Sequence, residues 1–503
     1  MAIAYFSYWP RILKMAIPIV IAMLTQTAIN MLDTIMVGWL EPSYSVAGQA
    51  ALTFSTPLLW LFGGFLSSIS IGTLAIVARR QGEKNYRLAG AALTNAVAVA
   101  LISSLVVGTL AYIFTPQLYQ LFTSNDAIIA FGVPYARFRL LGVLSMVTTA
   151  AIKAFFDGTN RTYVHMWAAI VMNVANIVLN YCFIFGAGPF PALNVAGAGL
   201  ASLVSTYIGL AIMIGWSLYP AIRQKYRSYR PSSCCPTTMW NIIRVSVPSG
   251  IANIFVMTGF LIFFGVISKL DDQNLEQMIL GINAYAGDAI PAWVQQQSAA
   301  VDATNGMNSI WTSDLSLAMI QAYPPVYGST SNITVSVMSV CFMGAMAFGT
   351  ATASLVSQSL GEKKPEIAQR YAYESAKVAG IFFAALGVLL FLFPEQICRF
   401  FNKVPEVVAV EADILRLLSP GVLIIATAMI FTQSLFGAGC TKFVMIVEGS
   451  LHFLCLIPLA YLIGIVLDGG ILGMWSAVLV YATALCLIMF FKLRSGSWKK
   501  IKL

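Results

Sequence analysis

Runs of about 20 or more apolar residues recur along the whole chain, and nothing constrains its fold more. A helix of that length crosses about 30 Å of hydrocarbon, where each backbone polar group must find its partner inside its own segment. Twelve such runs can be drawn, at 12–40, 49–78, 88–114, 128–156, 162–186, 195–222, 240–268, 331–359, 371–395, 408–437, 443–467 and 469–492, here called spans 1 to 12. Gly, Pro, Asn and charges fill the turns between them. Length alone, 503 residues, would suggest about three soluble domains. Yet only 10% of residues are charged, 59% are hydrophobic and the mean hydropathy is +0.81, where a soluble domain carries about 25% charged residues. A transmembrane β-barrel would alternate apolar and polar residues over roughly ten positions, and these runs are too long and continuous for that. The expected fold class is all-α and integral to the membrane. The start, "MAIAYFSYWPRILK", lacks the basic opening, short apolar run and small-residue cleavage site of a signal peptide, so span 1 is expected in the mature protein.

The formal charge of +9 would suit nucleic acid, but its placement does not. Arg79, Arg80, Lys84 and Arg87 follow span 2; Arg223, Lys225, Arg227 and Arg230 follow span 6; Lys363, Lys364 and Arg370 follow span 8; Lys499, Lys500 and Lys502 close the chain. The odd-numbered connections hold far fewer basic residues. This is the positive-inside pattern. It places both termini in the cytoplasm, as an even number of spans requires, and turns the basic surface toward anionic lipid rather than nucleic acid. The eight cysteines form no CxxC and no extracellular set, so neither a disulfide framework nor a zinc site is expected.

Self-similarity sets the architecture. "PRILKMAIPIVIAMLTQTA" from Pro10 resembles "WNIIRVSVPSGIANIFVMTG" from Trp240, with Pro18 opposite Pro248. "TLAIVARRQGEK" (Thr73 to Lys84) resembles "TASLVSQSLGEK" (Thr352 to Lys363), "RFRLLGVL" from Arg137 sits opposite "RLLSPGVL" from Arg416, and Gly158 falls opposite Gly437. The offset is 230 residues at the prolines and 279 at the later pairs, so an insertion of 49 residues lies between spans 7 and 8. The expected organisation is a first lobe at 1–225 (spans 1–6), a cytoplasmic linker at 226–239, a second lobe at 240–495 (spans 7–12) with an extracytoplasmic insertion at 270–330, and a basic cytoplasmic tail at 496–503. Six spans per half give the two repeats one orientation, with a substrate site expected between them. The insertion is acidic, and its Tyr285, Trp293, Trp311, Tyr323 and Tyr327 suit either a small packed cap or an ornamental surface loop.

The combination of "MLDTIMVGWL" closing span 1, "ARRQGEKN" after span 2, its echo "SQSLGEKK" after span 8 and "DGTNRT" after span 4 resembles the multidrug and toxic compound extrusion (MATE) family, in its bacterial NorM-type and DinF-type branches. The likeness covers nearly the whole chain outside the insertion. It implies a V-shaped bundle of two six-helix lobes that exports organic, usually cationic, compounds against entry of sodium or protons. The rest of that profile is a monomer in the bacterial inner membrane, with a small organic substrate, no cofactor and no enzymatic activity.

Asp33 interrupts an otherwise apolar helix. A carboxylate at membrane depth costs roughly 2.5–3.5 kcal/mol on insertion scales and usually faces a bundle interior or a watery cavity. It lies 19 residues past Lys14, about 28 Å along a helix, hence in the outer half of the membrane. Its counterpart at offset 230 is Phe263, so the halves differ chemically there. Ion coupling and a structural, hydrogen-bonded carboxyl are the two readings. Asn176 and Asn180, four apart in span 5, share a helix face, with Asn173 offset from both. They are either partners of Asp33 or ordinary interhelical hydrogen-bonders worth about 0.6 kcal/mol each. The family resemblance places Asn176 and Asn180 beside the span 1 aspartate, adds Ser202 of span 6 and matches Gln26 two turns before Asp33. With sodium as the coupling ion, Asp33, Asn176 and Asn180 would be its oxygen ligands.

The departures from the family matter as well. The acid found in span 7 of NorM-type members is matched by Val256, and the span 10 stretch "GVLIIATAMIF" offers only apolar residues and Thr427. Glu448 and His452, four apart in span 11, form either a secondary proton relay or a charge-assisted lock. Lys153 and Asp157 read as a local ion pair ending span 4, and Arg137 and Arg416 as anchors near the outer face. Two rivals remain: a lipid-linked oligosaccharide flippase, which would want a cavity rich in Arg and Lys, and a membrane-embedded enzyme, for which no HExxH, P-loop or triad is found.

Overall fold

A computed structural model of the chain describes residues 8–41, 48, 51–52, 55, 58–122, 126–187, 189–285, 326–401 and 405–501. These residues are helical, without a strand among them. Eleven stretches are long and apolar enough to cross a membrane: Trp60–Gly82, Tyr86–Ile113, Ile128–Gly158, Tyr163–Phe185, Asn194–Leu218, Pro236–Ile267, Ile333–Gly361, Pro365–Leu392, Val407–Gly437, Thr441–Val466 and Gly470–Ser495. They correspond to spans 2 to 12. Span 1 is the helix Trp9–Gly38, 30 residues long with Pro18 inside it.

Local chemistry sets the ends of several spans. The Asn85 side chain caps span 3 by accepting from the Leu88 backbone N–H at 3.2 Å. Span 5 stops at Gly186, whose φ of +74° suits a residue without a Cβ. Buried faces are rich in small residues, as in Ala89, Gly90, Ala92, Ala96, Ala100 and Ser104 of span 3, because close backbone approach replaces the hydrophobic drive that lipid cannot supply.

The halves pack around separate cores. Ile69, Val77, Leu93, Phe155, Phe156 and Met213 centre the first. Phe348, Phe383, Leu415, Phe431 and Met489 centre a large cluster of the second. Span 1 belongs to both. Ile12, Met15, Ala16 and Ile19 are buried within the second-half cluster. Met36 and Val37 pack with Tyr135, Ile184, Val195 and Ala198 of the first half. Pro18 lies within the stretch of second-half contacts, which run on through Val20 and Met23. At its start, span 1 is tied across by Trp9 Nε1 donating to Glu374 at 3.0 Å and Arg11 donating to Gln358 Oε1 at 2.9 Å.

The two halves also close on each other at the face that carries both ends of the chain. Spans 2 and 8 cross where their related motifs meet. A Cβ on Gly82 would strike the Gln358 carbonyl, and a Cβ on Gly361 would strike the Arg79 carbonyl. Gly82 and Gly361, like Arg79 and Gln358, are 279 residues apart, so the crossing carries the internal symmetry into three dimensions. Ser357 donates to Ala75 O (2.6 Å), Ser354 to Asp157 O (2.8 Å) and Gln358 Nε2 to Gly158 O (2.9 Å). Arg79 Nη1 reaches the tail at Ile501 O (2.6 Å).

Span 7 does not end with its apolar run. Its helix continues from Pro236 to Tyr285, so the first part of the insertion is a helical extension of the span. The cap expected from Trp293, Trp311 and Tyr323 lies outside the described residues.

Candidate functional site

Asp33 is buried, with 2% of its surface exposed, at the meeting point of four helices. Span 5 supplies Asn180, whose Nδ2 donates to Asp33 Oδ1 at 2.6 Å. Span 6 supplies Ser202, whose hydroxyl donates to Oδ2 at 2.9 Å. Span 4 supplies Arg139, whose Nη1 lies 3.6 Å from Oδ2. Behind this layer Asn176 Oδ1 accepts from Asn180 at 3.1 Å, and its Nδ2 reaches the hydroxyls of Ser202 and Ser205, each at 3.4 Å. The four-residue spacing of Asn176 and Asn180 does what helix geometry requires, stacking one amide on the other along one face. Buried groups so connected hold one another in place, because each would cost free energy unpaired.

Not every polar atom is satisfied. Asn180 Oδ1 and both amide atoms of Asn173 are buried without a partner. Gln26 sits two turns earlier on span 1, is exposed, and no hydrogen bond joins it to the cluster among the described residues. Asp33, Asn176, Asn180 and Ser202 thus come together; Gln26 does not.

Among the described residues the second half holds no copy of this arrangement. Phe263, the counterpart of Asp33, is fully buried against Trp475 (ring centroids 5.3 Å apart), Phe260 and Phe264. Thr427 only returns its hydroxyl to Leu423 O within span 10. His452 Nδ1 meets the backbone carbonyl of Glu448 at 2.8 Å, not its carboxylate, and the imidazole packs on Tyr481 with centroids 4.6 Å apart. Among the described residues no hydrogen bond links the Glu448 and His452 side chains directly. The helix opens into a wider π turn at His452–Leu456, a local irregularity of the kind that clusters at functional positions. Lys153 Nζ lies 2.7 Å from Asp157 Oδ2 at the end of span 4, the pair expected from their spacing.

The MatE family model matches twice, at residues 18–182 and 308–462, once in each half and together over more than half of the chain. The chain belongs to the MatE family. Similar curated members of the MatE family are a probable multidrug resistance protein NorM of Thermotoga maritima, 23% identical with 97% of this chain and 93% of that protein covered, and the multidrug resistance protein MdtK of Yersinia pseudotuberculosis, 24% identical with 96% and 94% covered. Among solved structures, an outward-facing multidrug resistance MATE transporter of the MOP superfamily superposes with a TM-score of 0.80 at 18% identity, covering 98% of this chain and 96% of that one. A MATE transporter in the straight conformation gives 0.79 at 18% identity, covering 98% and 97%. The eukaryotic MATE transporter AtDTX14 gives 0.76 at 16% identity, covering 99% and 97%. The MatE fold, a V of two helical lobes, is therefore the fold of this chain, a multi-pass membrane protein. Its relatives are transporters rather than enzymes.

Four polar residues within this MatE chain escaped the sequence reading. Arg139 was passed over beside Arg137, although only Arg139 reaches Asp33; Arg137 stacks over Tyr112 at 5.1 Å. Ser205 lies one turn past Ser202, and that spacing was the available signal. Glu374 is buried between Trp9 and Lys377. Glu411, near the start of span 10, is fully buried with the Thr334 hydroxyl 3.0 and 2.9 Å from its two oxygens.

Proposed function

We propose that this protein is a secondary active exporter of small organic compounds, cationic or amphipathic, which it exchanges for H+ or Na+ with Asp33 as the ion-coupling carboxylate. One observation carries the reading: a single aspartate buried among four membrane helices, held by Asn180 and Ser202, in a family whose curated members are named for multidrug resistance. Span 1 gives the ion a lever. Its far end holds Asp33 in the first half while its near end is packed and hydrogen-bonded into the second. Ion binding at Asp33 changes what spans 4, 5 and 6 donate to, and span 1, gripped by the second half through Met23 and by the first half at Met36 and Val37, passes that change to the other lobe. The lobes then rock about the crossing of spans 2 and 8, alternately opening the site to either side. Binding can drive this only through unequal affinity for the two arrangements.

The domain limits proposed are 1–225, 226–239, 240–495 and 496–503, the closed face is the cytoplasmic one, and the protein works as a monomer in a bacterial inner membrane. The basic residues gathered beyond spans 2, 6 and 8 support that orientation. A flippase for lipid-linked oligosaccharide is disfavoured by a cluster whose one cation, Arg139, is already paired with Asp33. The test is dye efflux from vesicles by wild type and Asp33→Asn, with proton and sodium gradients imposed separately. The variant is expected to fold and lose gradient-driven efflux; undiminished efflux ends the coupling role.

A further inference from the structure

Arg79 sits where the two halves close, yet its charge has no counter-charge there. Only 6% of its surface is exposed, and of its guanidinium nitrogens just Nη1 is engaged, donating to the Ile501 carbonyl at 2.6 Å. Nε and Nη2 are buried without a partner, and among the described residues no carboxylate lies within ion-pair distance of them. Glu83, one turn on, is taken by Arg80 at 2.8 Å. The tail is what covers Arg79. Gly496, at a φ of +68°, turns the chain back after span 12; Trp498 is fully buried and donates Nε1 to Leu493 O at 2.8 Å, and Lys499 reaches Glu366 of span 9 at 2.8 Å. Ile501 is thereby carried from the second half onto span 2 of the first.

The internal repeat supplies a comparison. Gln358 occupies the same place in the second half, 279 residues on, and is as well buried at 3% exposure. Its amide is neutral and satisfied. Nε2 donates to Gly158 O and Asn160 Oδ1, each at 2.9 Å, and Oε1 accepts from Arg11 at 2.9 Å and from Asn160 at 3.2 Å. One side of the crossing is thus a fully bonded amide. The other is a charge taken out of water with two of its nitrogens idle.

We propose that Arg79 opposes closure of this face and so keeps the closed arrangement from becoming a trap, an inference that rests on the reading that the face opens and closes during transport. The contacts around Arg79 favour closure strongly: the bonds from Ser354, Ser357 and Gln358 to the first half together weigh on the order of 100-fold toward it. A buried charge without a counter-charge weighs against the arrangement that buries it, also on the order of 100-fold. Opening relieves it, because the Arg79 carbonyl lies against Gly361 of span 8 and the tail belongs to the second half, so separating the halves returns the guanidinium to water. The bond to Ile501 pulls the other way, on the order of tenfold, which leaves a net opposition on the order of tenfold. Opposing terms of similar size keep both arrangements within reach, as alternating access requires. A purely structural Arg79, present to tie the tail to span 2, would have the opposite sign: its loss would open the face.

The experiment uses the full chain in phospholipid vesicles with spin labels at Arg87 and Arg370, without substrate or ion gradient. Wild type, Arg79→Gln and Arg79→Met are compared for the populations of short and long distances, for melting temperature, and for the concentration of a fluorescent cationic dye, presented at this face, that gives half-maximal efflux. Wild type is expected to show both populations. Both variants are expected to shift on the order of tenfold toward the short distance, to melt no lower than wild type, and to need on the order of tenfold more dye. A shift toward the long distance, unchanged populations in both variants, or a wild type with the short distance alone overturns the inference. So does failure of both variants to fold, since a charge that only opposes closure is not needed for folding. Asp33→Asn keeps the two layers apart: undiminished efflux by it removes the coupling reading and leaves these gradient-free populations untouched, whereas a wrong sign in the Arg79 variants leaves the role of Asp33 standing.

Discussion

Substituting Gly82 by alanine is the smallest change that tests how the two halves close. The added Cβ would fall well inside van der Waals contact with the Gln358 carbonyl oxygen and only 2.8 Å from its carbon, where carbon atoms in contact keep about 3.5–4.0 Å. Backbone of a membrane helix cannot turn aside as a side chain can, so spans 2 and 8 must separate by about 1 Å. The bonds that tie span 8 to the first half are short: Ser357 to Ala75 of span 2 at 2.6 Å, and Ser354 to Asp157 at 2.8 Å and Gln358 to Gly158 at 2.9 Å at the end of span 4, which packs on span 2 beside the crossing. Lengthened by about 1 Å, all three pass beyond hydrogen-bonding distance. At about 1 kcal/mol net each, the loss is about 3 kcal/mol, on the order of 100-fold against the closed arrangement of that face.

The assay is a distance measurement between spin labels at Arg87 and Arg370, exposed positions just beyond the crossing on either half. Gly82→Ala should broaden and lengthen the distance distribution and lower dye efflux, because a gate that does not close leaks the gradient's work. Gly361→Ala should do the same, its Cβ falling 2.9 Å from the Arg79 carbonyl carbon. An unchanged distance distribution with wild-type efflux in both variants refutes the idea that this crossing is the closing contact.

Lys153→Met should lower the melting temperature in detergent by several degrees, since it strips the partner from a fully buried Asp157, and removing one member of a buried pair typically costs about 3–5 kcal/mol. Lys153→Met with Asp157→Asn should recover most of that loss; a double variant no more stable than the single one denies the pair its role. Glu448→Gln should leave gradient-driven efflux at the wild-type level, because His452 is held by the Glu448 backbone and not by its carboxylate. Loss of efflux by a well-folded Glu448→Gln would restore a relay through span 11.

What the sequence made legible follows from where polarity is scarce. The spans could be drawn because charges interrupt them so seldom; most observed stretches start and stop within a few residues of the apolar runs, the exceptions being the start of span 2 and the far end of span 7, whose helix runs on to Tyr285. Asp33 could be singled out because its repeat partner is Phe263, and the structure puts these two into opposite chemistries, a hydrogen-bonded cluster and an aromatic core. The asparagine spacing in span 5 told which two amides share a face. Arg139 was illegible for a reason of the same kind: two residues from Arg137 near an expected membrane surface, it offered nothing to separate a side chain turned into the bundle from one anchored at its edge. Glu411 was hidden likewise by lying at the start of span 10, where a carboxylate reads as the boundary.

The sharing of span 1 between the halves could not be read at all. In water an amphipathic stripe announces the side a helix buries, but in lipid the tails are as apolar as leucine, so Ile12, Ile19, Met36 and Val37 look alike whether they meet lipid, one lobe or the other. The polar ties at its start, Trp9 to Glu374 and Arg11 to Gln358, join residues 365 and 347 positions apart, and no local pattern records such distances. Yet on the proposed coupling that sharing is what would let an ion at Asp33 matter to the other lobe. A helix confined to one lobe would keep the consequence of ionisation inside that lobe; a helix gripped by both must bend, slide or release one grip when its donors change. Pro18, with no N–H to give the ladder, lies within the second-half grip, between Ala16 and Ile19, and the strain of any such movement is cheapest there.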